Sequence, residues 1–97
     1  MKQIIIDSEA ENELSDSVAF YERRQPGLGL DFERAARKAV QMIQTDPDRQ
    51  PLQKDGTRRL VMERFPFVIY YADFPNTIWV LAFAHTSRKP GYWRRRF

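Results

Sequence analysis

The densest chemistry in the 97-residue sequence lies at its end, where Ala84 to Phe97 reads AHTSRKPGYWRRRF. The single histidine, His85, is followed there by Arg88, Lys89, Tyr92, Trp93, Arg94, Arg95 and Arg96. Guanidinium and ammonium groups pair with phosphates, and Tyr and Trp rings offer faces on which unstacked bases can lie, so the mixture suits contact with RNA or another polyanion. Upstream, Arg58 and Arg59 add two cations, but neighbours on a strand point to opposite faces and only one of them need take part. A purely structural reading competes: Trp93 and Tyr92 fold back onto the sheet as core, and the charges form a solvated face.

Charge distribution sharpens the question. Up to Gly56 the chain holds eight Lys and Arg against eleven Asp and Glu; beyond it the counts are eight and two, so an acidic half precedes a basic one. Such asymmetry points to a patch for phosphate or for an acidic partner. The chain has no cysteine and one histidine, which argues against a disulfide framework, a metal site or a metal-dependent reaction; no cofactor is expected. No apolar run approaches the length needed to cross a bilayer, and Met1 to Asp7 lacks the pattern of a secretory leader, so no membrane association and a cytoplasmic location are expected.

The elements that must position these residues follow from periodicity. Lys2 to Asp7, with Ile4, Ile5 and Ile6, reads as a first strand. Ser8 and Glu11 form a capping-box pattern, and Ala10, Leu14, Val18 and Tyr21 recur at helical spacing, predicting a helix from about Glu9 to Arg24. Gln25, Pro26, Gly27 and Gly29 supply turn chemistry. A second apolar stripe, Phe32, Ala35, Ala36, Ala39, Val40 and Ile43, stops at Asp46 and Pro47. After a polar loop to Gly56, the chain predicts an antiparallel meander over Thr57 to Arg64, Phe65 to Ala72 and Thr77 to Ala84, with Asp73 to Asn76 as a hairpin loop. The expected fold is one α+β domain over residues 1–97, order β-α-α-β-β-β, with a helical hairpin packed on one face of a mainly antiparallel sheet.

Both faces of the last two strands are apolar: Phe65, Phe67, Ile69 and Tyr71 against Val68 and Tyr70, then Ile78, Val80 and Ala82 against Trp79, Leu81 and Phe83. Two helices cover one face, so the surplus suggests a surface that another chain covers, or one buried under loops and the C-terminal tail. Strict alternation puts His85 with Trp79, Leu81 and Phe83.

Arg58-Arg59-Leu60, RFPFVIYY from Arg64 to Tyr71, and VLAFAHTSRKPGYW from Val80 to Trp93 together resemble the C-terminal signature of the RelE/ParE toxins. AFYERRQPGLGLDF, Ala19 to Phe32, is similar to the plasmid-stabilisation branch of that superfamily. The resemblance implies the toxin of a type II toxin-antitoxin pair, with a cognate antitoxin whose C-terminal segment wraps around it in a hetero-oligomer. Its members include ribosome-dependent mRNA endonucleases and gyrase inhibitors without nuclease chemistry, and fold does not choose between them. Cleavage would need a base, an acid and cations at the scissile phosphate. His85 as base or acid, Arg88 and Arg64 on the phosphate, and Tyr92 in proton transfer are the candidates; Lys89, Trp93, Arg94, Arg95, Arg96, Arg58 and Arg59 would contact the target. Against cleavage, a key arginine of the ribonuclease branch falls at a position resembling Phe67. A degenerate member that keeps only antitoxin binding is the third possibility. Two motifs are set aside: Gly27-Leu28-Gly29 is a turn rather than a phosphate loop, and Glu9, Glu11, Glu13 and Asp16 complement a helix dipole.

Overall fold

The computed structural model describes residues 1–97. A first strand, β1 (Gln3–Ile6), leads into two helices, α1 (Ser8–Arg24) and α2 (Leu28–Thr45), and three strands follow, β2 (Arg58–Val61), β3 (Phe67–Asp73) and β4 (Thr77–His85). The last three strands form the expected antiparallel meander, and β1 joins β4 in parallel, giving the sheet order β1-β4-β3-β2. The helices cover one face of this mixed sheet. A 3-10 turn at Arg94–Arg96 ends the chain.

Helix α1 starts one residue earlier than its capping-box pattern predicts. The cap is Asp7, whose carboxylate accepts the Glu9 N–H at 3.0 Å, while Ser8 already lies inside the helix. Asp serves this role as well as Ser, because either oxygen satisfies a free N-terminal amide. Between the helices, Gly27 adopts a φ of 89° and no side chain of its own caps α2. Glu22, from the end of α1, instead accepts the N–H groups of Gly27 and Gly29 at 2.9 and 3.0 Å. A Cβ at position 29 would lie 2.5 Å from the Val18 carbonyl oxygen, so only glycine lets the helices approach this closely.

The helical stripes bury Ala10 and Leu14 from α1 and Phe32, Ala36, Ala39 and Ile43 from α2. They meet Leu60, Phe67, Ile69, Tyr71, Ile78, Val80 and Phe83 from the sheet in one core. The opposite face carries a smaller cluster of Ala72, Leu81, Ala82, Ala84 and Trp93, with Tyr70, Trp79 and Tyr92 at its margin. The surplus apolar face is thus covered largely by the chain's own tail. Trp93 is 2% exposed and its ring stacks on Tyr70 at 4.4 Å between centroids, over alanines small enough to admit it.

Strand ends shift by a residue or two from expectation, with Asp73 and His85 joining their strands, and the largest shift lies between β2 and β3. Strand β2 ends at Val61 and β3 begins at Phe67, because Met62 to Pro66 turn the chain; Pro66 cannot donate to a ladder. Within β4 a bulge interrupts the alternation: Tyr70 faces Ala82 and Tyr71 faces Val80, leaving Leu81 without a partner in register. Ile78 and Val80 therefore face the helices, Leu81 and Ala82 both join the tail side, and Phe83 returns to the helix side. His85 pairs with Phe67 and sits on the helix side with Phe83, not with Trp79 and Leu81 as strict alternation predicts.

Trp93→Ala should lower stability by roughly 3–5 kcal/mol, the usual cost of emptying a buried aromatic site, as measured by urea unfolding. Asp55 offers a pH test. Its carboxylate accepts from the Thr57 hydroxyl at 2.6 Å and the Thr57 N–H at 3.0 Å, and Arg94 lies 3.3 Å away, which together hold its pKa below the ordinary 3.8. A depressed carboxylate stabilises the fold above its unfolded pKa and stops doing so as pH falls through its folded value. The stability difference between wild type and Asp55→Asn should therefore be constant above about pH 5 and shrink below pH 4 in pH-dependent melts.

Candidate functional site

Strand β1 has four residues and β4 has nine, so past Val80 the edge of β4 next to β1 has no strand partner. Buried backbone groups must find partners elsewhere. Glu13, one turn beyond the start of α1, accepts the Phe83 N–H at 3.1 Å, and Arg96 donates to the Leu81 carbonyl at 2.9 Å. These two side chains also pair directly. Arg96 donates from both terminal nitrogens to the Glu13 carboxylate, at 2.9 and 3.2 Å, with the two side chains only 6% and 14% exposed. Glu9 adds a second carboxylate 3.1 Å from Arg96 Nε. Burial alone would favour a neutral guanidine, yet the Glu13 and Glu9 carboxylates raise the Arg96 pKa above its ordinary value.

The same Glu13 carboxylate accepts the Tyr92 hydroxyl. Burial and this carboxylate push the Tyr92 phenol far above its ordinary pKa. The Arg88 guanidinium rests over the Tyr92 ring, 3.8 Å from its centroid, and Arg96 lies 5.3 Å from it.

An open cleft of about 460 Å³ lies beside this network, between α1 and the end of the sheet. Phe20, Tyr21, Phe67 and Phe83 supply its apolar lining, and Glu13, Asp16, Arg23, His85 and Arg88 supply charge or hydrogen bonding. The His85 ring meets the edge of Phe67 at 5.2 Å, and its Nδ1 lies 3.0 Å from the Ser87 N–H and 2.7 Å from the Ser87 hydroxyl. The backbone N–H donates, so Nδ1 is an acceptor and the ring proton belongs on Nε2. Phe67, 4% exposed, packs between Phe32 and Tyr21 and forms the floor of the cleft.

The sequence-predicted residues thus divide. His85, Arg88 and Tyr92 come together around the cleft. Arg64 does not line it; the Asp31 carboxylate holds it at 3.3 Å, over the Phe65 ring. Trp93 is core and offers no exposed ring. Arg58 donates to the carbonyls of Gln50 and Asp48 and fastens the loop before β2. Arg94 pairs with Asp55 at 3.3 Å, Arg95 with Glu9 at 2.6 Å, and Arg96 is buried. Arg59, Arg88 and Lys89 are exposed and enter no ion pair. The contiguous cationic tail suggested by RRR is therefore mostly neutralised by acidic residues of the first half. Glu13, read from sequence as one of several dipole-complementing carboxylates, is the organising group. The mismatch in length between β1 and β4 was the signal for it. No group of three His, Cys, Asp or Glu side chains gathers in a metal-binding arrangement. No helix is long and apolar enough to cross a membrane.

Arg96→Ala should cost about 3 kcal/mol in urea unfolding, because it leaves a buried carboxylate and the Leu81 carbonyl short of partners. A smaller loss, below about 1 kcal/mol, would mean that the pair behaves as a surface ion pair.

No curated protein sequence matches the chain. Among solved structures, the chromosomal ParDE toxin-antitoxin system from P. aeruginosa contains a chain that superposes with a TM-score of 0.78 at 20% identity, over 88% of this chain and 96% of that one. At that identity the likeness establishes the fold. Residues 4–90 match the family described as the ParE toxin of type II toxin-antitoxin systems, parDE. With the match spanning nearly the whole domain, the chain belongs to the ParE toxin family and is the toxin component of a type II toxin-antitoxin system.

Proposed function

We propose that this toxin arrests growth by binding DNA gyrase rather than by cleaving mRNA, and that a cognate antitoxin neutralises it in a hetero-oligomer. The observation that carries this reading is the state of Tyr92. Its hydroxyl is bound to Glu13 and its pKa is raised by burial and by that carboxylate, so it is a poor proton donor near neutral pH. His85 and Arg88 stand at the cleft, but two further positions that cleavage would call on do not serve it. Arg64 is paired with Asp31 and does not line the cleft, and Phe67, at the position resembling a key arginine of the ribonuclease branch, brings an uncharged ring to the cleft floor. What remains free is a binding surface: an apolar cleft bordered by Arg23 and Arg88, with exposed, unpaired Lys89 next to Arg88 in the chain. Cytoplasmic action follows from such a target.

Purified toxin added to gyrase and relaxed plasmid should block supercoiling, and preincubation with the antitoxin should restore it. Induction in cells should produce no new mRNA 5′ ends by primer extension. New 5′ ends in translated messages, with supercoiling untouched, would replace this reading by ribosome-dependent cleavage through His85 and Arg88. Harmless expression would leave only the antitoxin-binding module.

A further inference from the structure

Arg88 occupies an unusual position among the cations of the tail. It is exposed, lines the cleft, and its guanidinium makes neither an ion pair nor a hydrogen bond within the chain. What fixes it is the ring of Tyr92, 3.8 Å below. A ring face constrains a guanidinium only if the ring itself is held. The Tyr92 hydroxyl is tied to Glu13, which is in turn fixed by the Phe83 N–H and by Arg96. The chain of contacts therefore runs from the backbone of β4, through one buried carboxylate, to the one cleft cation of the tail that has no partner of its own.

We propose that Glu13 is a positioning residue for Arg88, acting through Tyr92, so that the guanidinium is already ordered over the cleft before the target arrives. This rests on the reading that the cleft wall carrying Arg88 contacts the target. The physical gain is entropic: a free arginine loses its rotamer freedom on binding, whereas one stacked on a fixed ring has lost it already. Arg23, on the facing helix, has no comparable anchor. Asp16 is the remaining carboxylate of the cleft, and Arg88 forms no ion pair with it.

The test uses the intact toxin and Glu13→Gln, which keeps an acceptor oxygen and the side-chain length, with the Arg88→Ala single and double variants. In the arginine Nε–H region of a ¹⁵N–¹H spectrum, the Arg88 signal should be shifted by the Tyr92 ring current in wild type and should move toward that of exposed Arg59 in Glu13→Gln. In cells, the toxin level needed to halve growth should rise about tenfold for Glu13→Gln, the range of a lost binding contact. Added to Arg88→Ala, the same substitution should cost little more, since both act on one contact. An unmoved Arg88 signal, an Arg88→Ala variant as toxic as wild type, or Glu13→Gln losses that multiply with those of Arg88→Ala would each overturn the proposal. Where Arg88→Ala alone abolishes toxicity, the spectrum decides. Tyr92→Phe, which removes the tether and keeps the ring, is judged by the same criteria if Glu13→Gln does not fold. Growth arrest is read without reference to the target, so a failed supercoiling assay would overturn the gyrase reading and leave this test intact.

Discussion

A strand that outruns its neighbour sets the terms for the rest of this molecule. Where β1 stops at Ile6 and β4 continues to His85, the Leu81 carbonyl and the Phe83 amide would be left without ladder partners. Glu13 and Arg96 fill the gap as a pair, each touching one backbone group and both touching each other. A buried ion pair repays its desolvation only when the remaining lone pairs and protons are bonded. That condition is met here: every oxygen of Glu13 has donors from the backbone, a guanidinium or a phenol. Because Arg96 comes from the far end of the chain and Glu13 from its first helix, this one arrangement also closes the molecule on itself.

The closure explains why the basic half does not present itself as a uniformly positive surface. Acidic residues in the first half and arginines in the last are two sides of the same contacts: Glu9 with Arg95, Asp55 with Arg94, Asp31 with Arg64. Most of these pairs are exposed and each contributes little to stability, yet together they decide which cations remain free. At the apolar cleft, Arg23 and Arg88 are the cations left without an ion pair, a sparser set than the sequence suggests.

Much of this was legible in the residues. Helical stripes, the glycine turn and the meander all follow local periodicity; of the stripe positions, Ala10, Leu14, Phe32, Ala36, Ala39 and Ile43 are buried, and Val18, Tyr21, Ala35 and Val40 are half-buried against the same core. Parity failed at one place, because a bulge at Leu81 has no signature of its own: the run Ile78 to Ala84 is apolar throughout, so nothing in it marks where alternation skips a residue. The error moved His85 to the wrong face. Asp7 and Ser8 are adjacent and both good caps, so composition does not choose between them. The tail was ambiguous for a different reason. Trp93 is equally suited to stack on a base or to fill a hollow above three alanines, and only the distance in space between Ala72, Ala82 and Ala84 decides. Nothing in the sequence singles out Glu13, because Glu9, Glu11 and Asp16 share its chemistry and helix, and only its burial sets it apart.

The outer edge of β2 carries a last consequence. It is four residues long, holds Arg58 and Arg59, and has no neighbour on its far side. An unpaired edge invites chain-to-chain aggregation, and brevity combined with positive charge is how natural sheets resist it. An edge this short and this charged gives a second copy of the chain little to extend, so the sheet is built to stop at four strands.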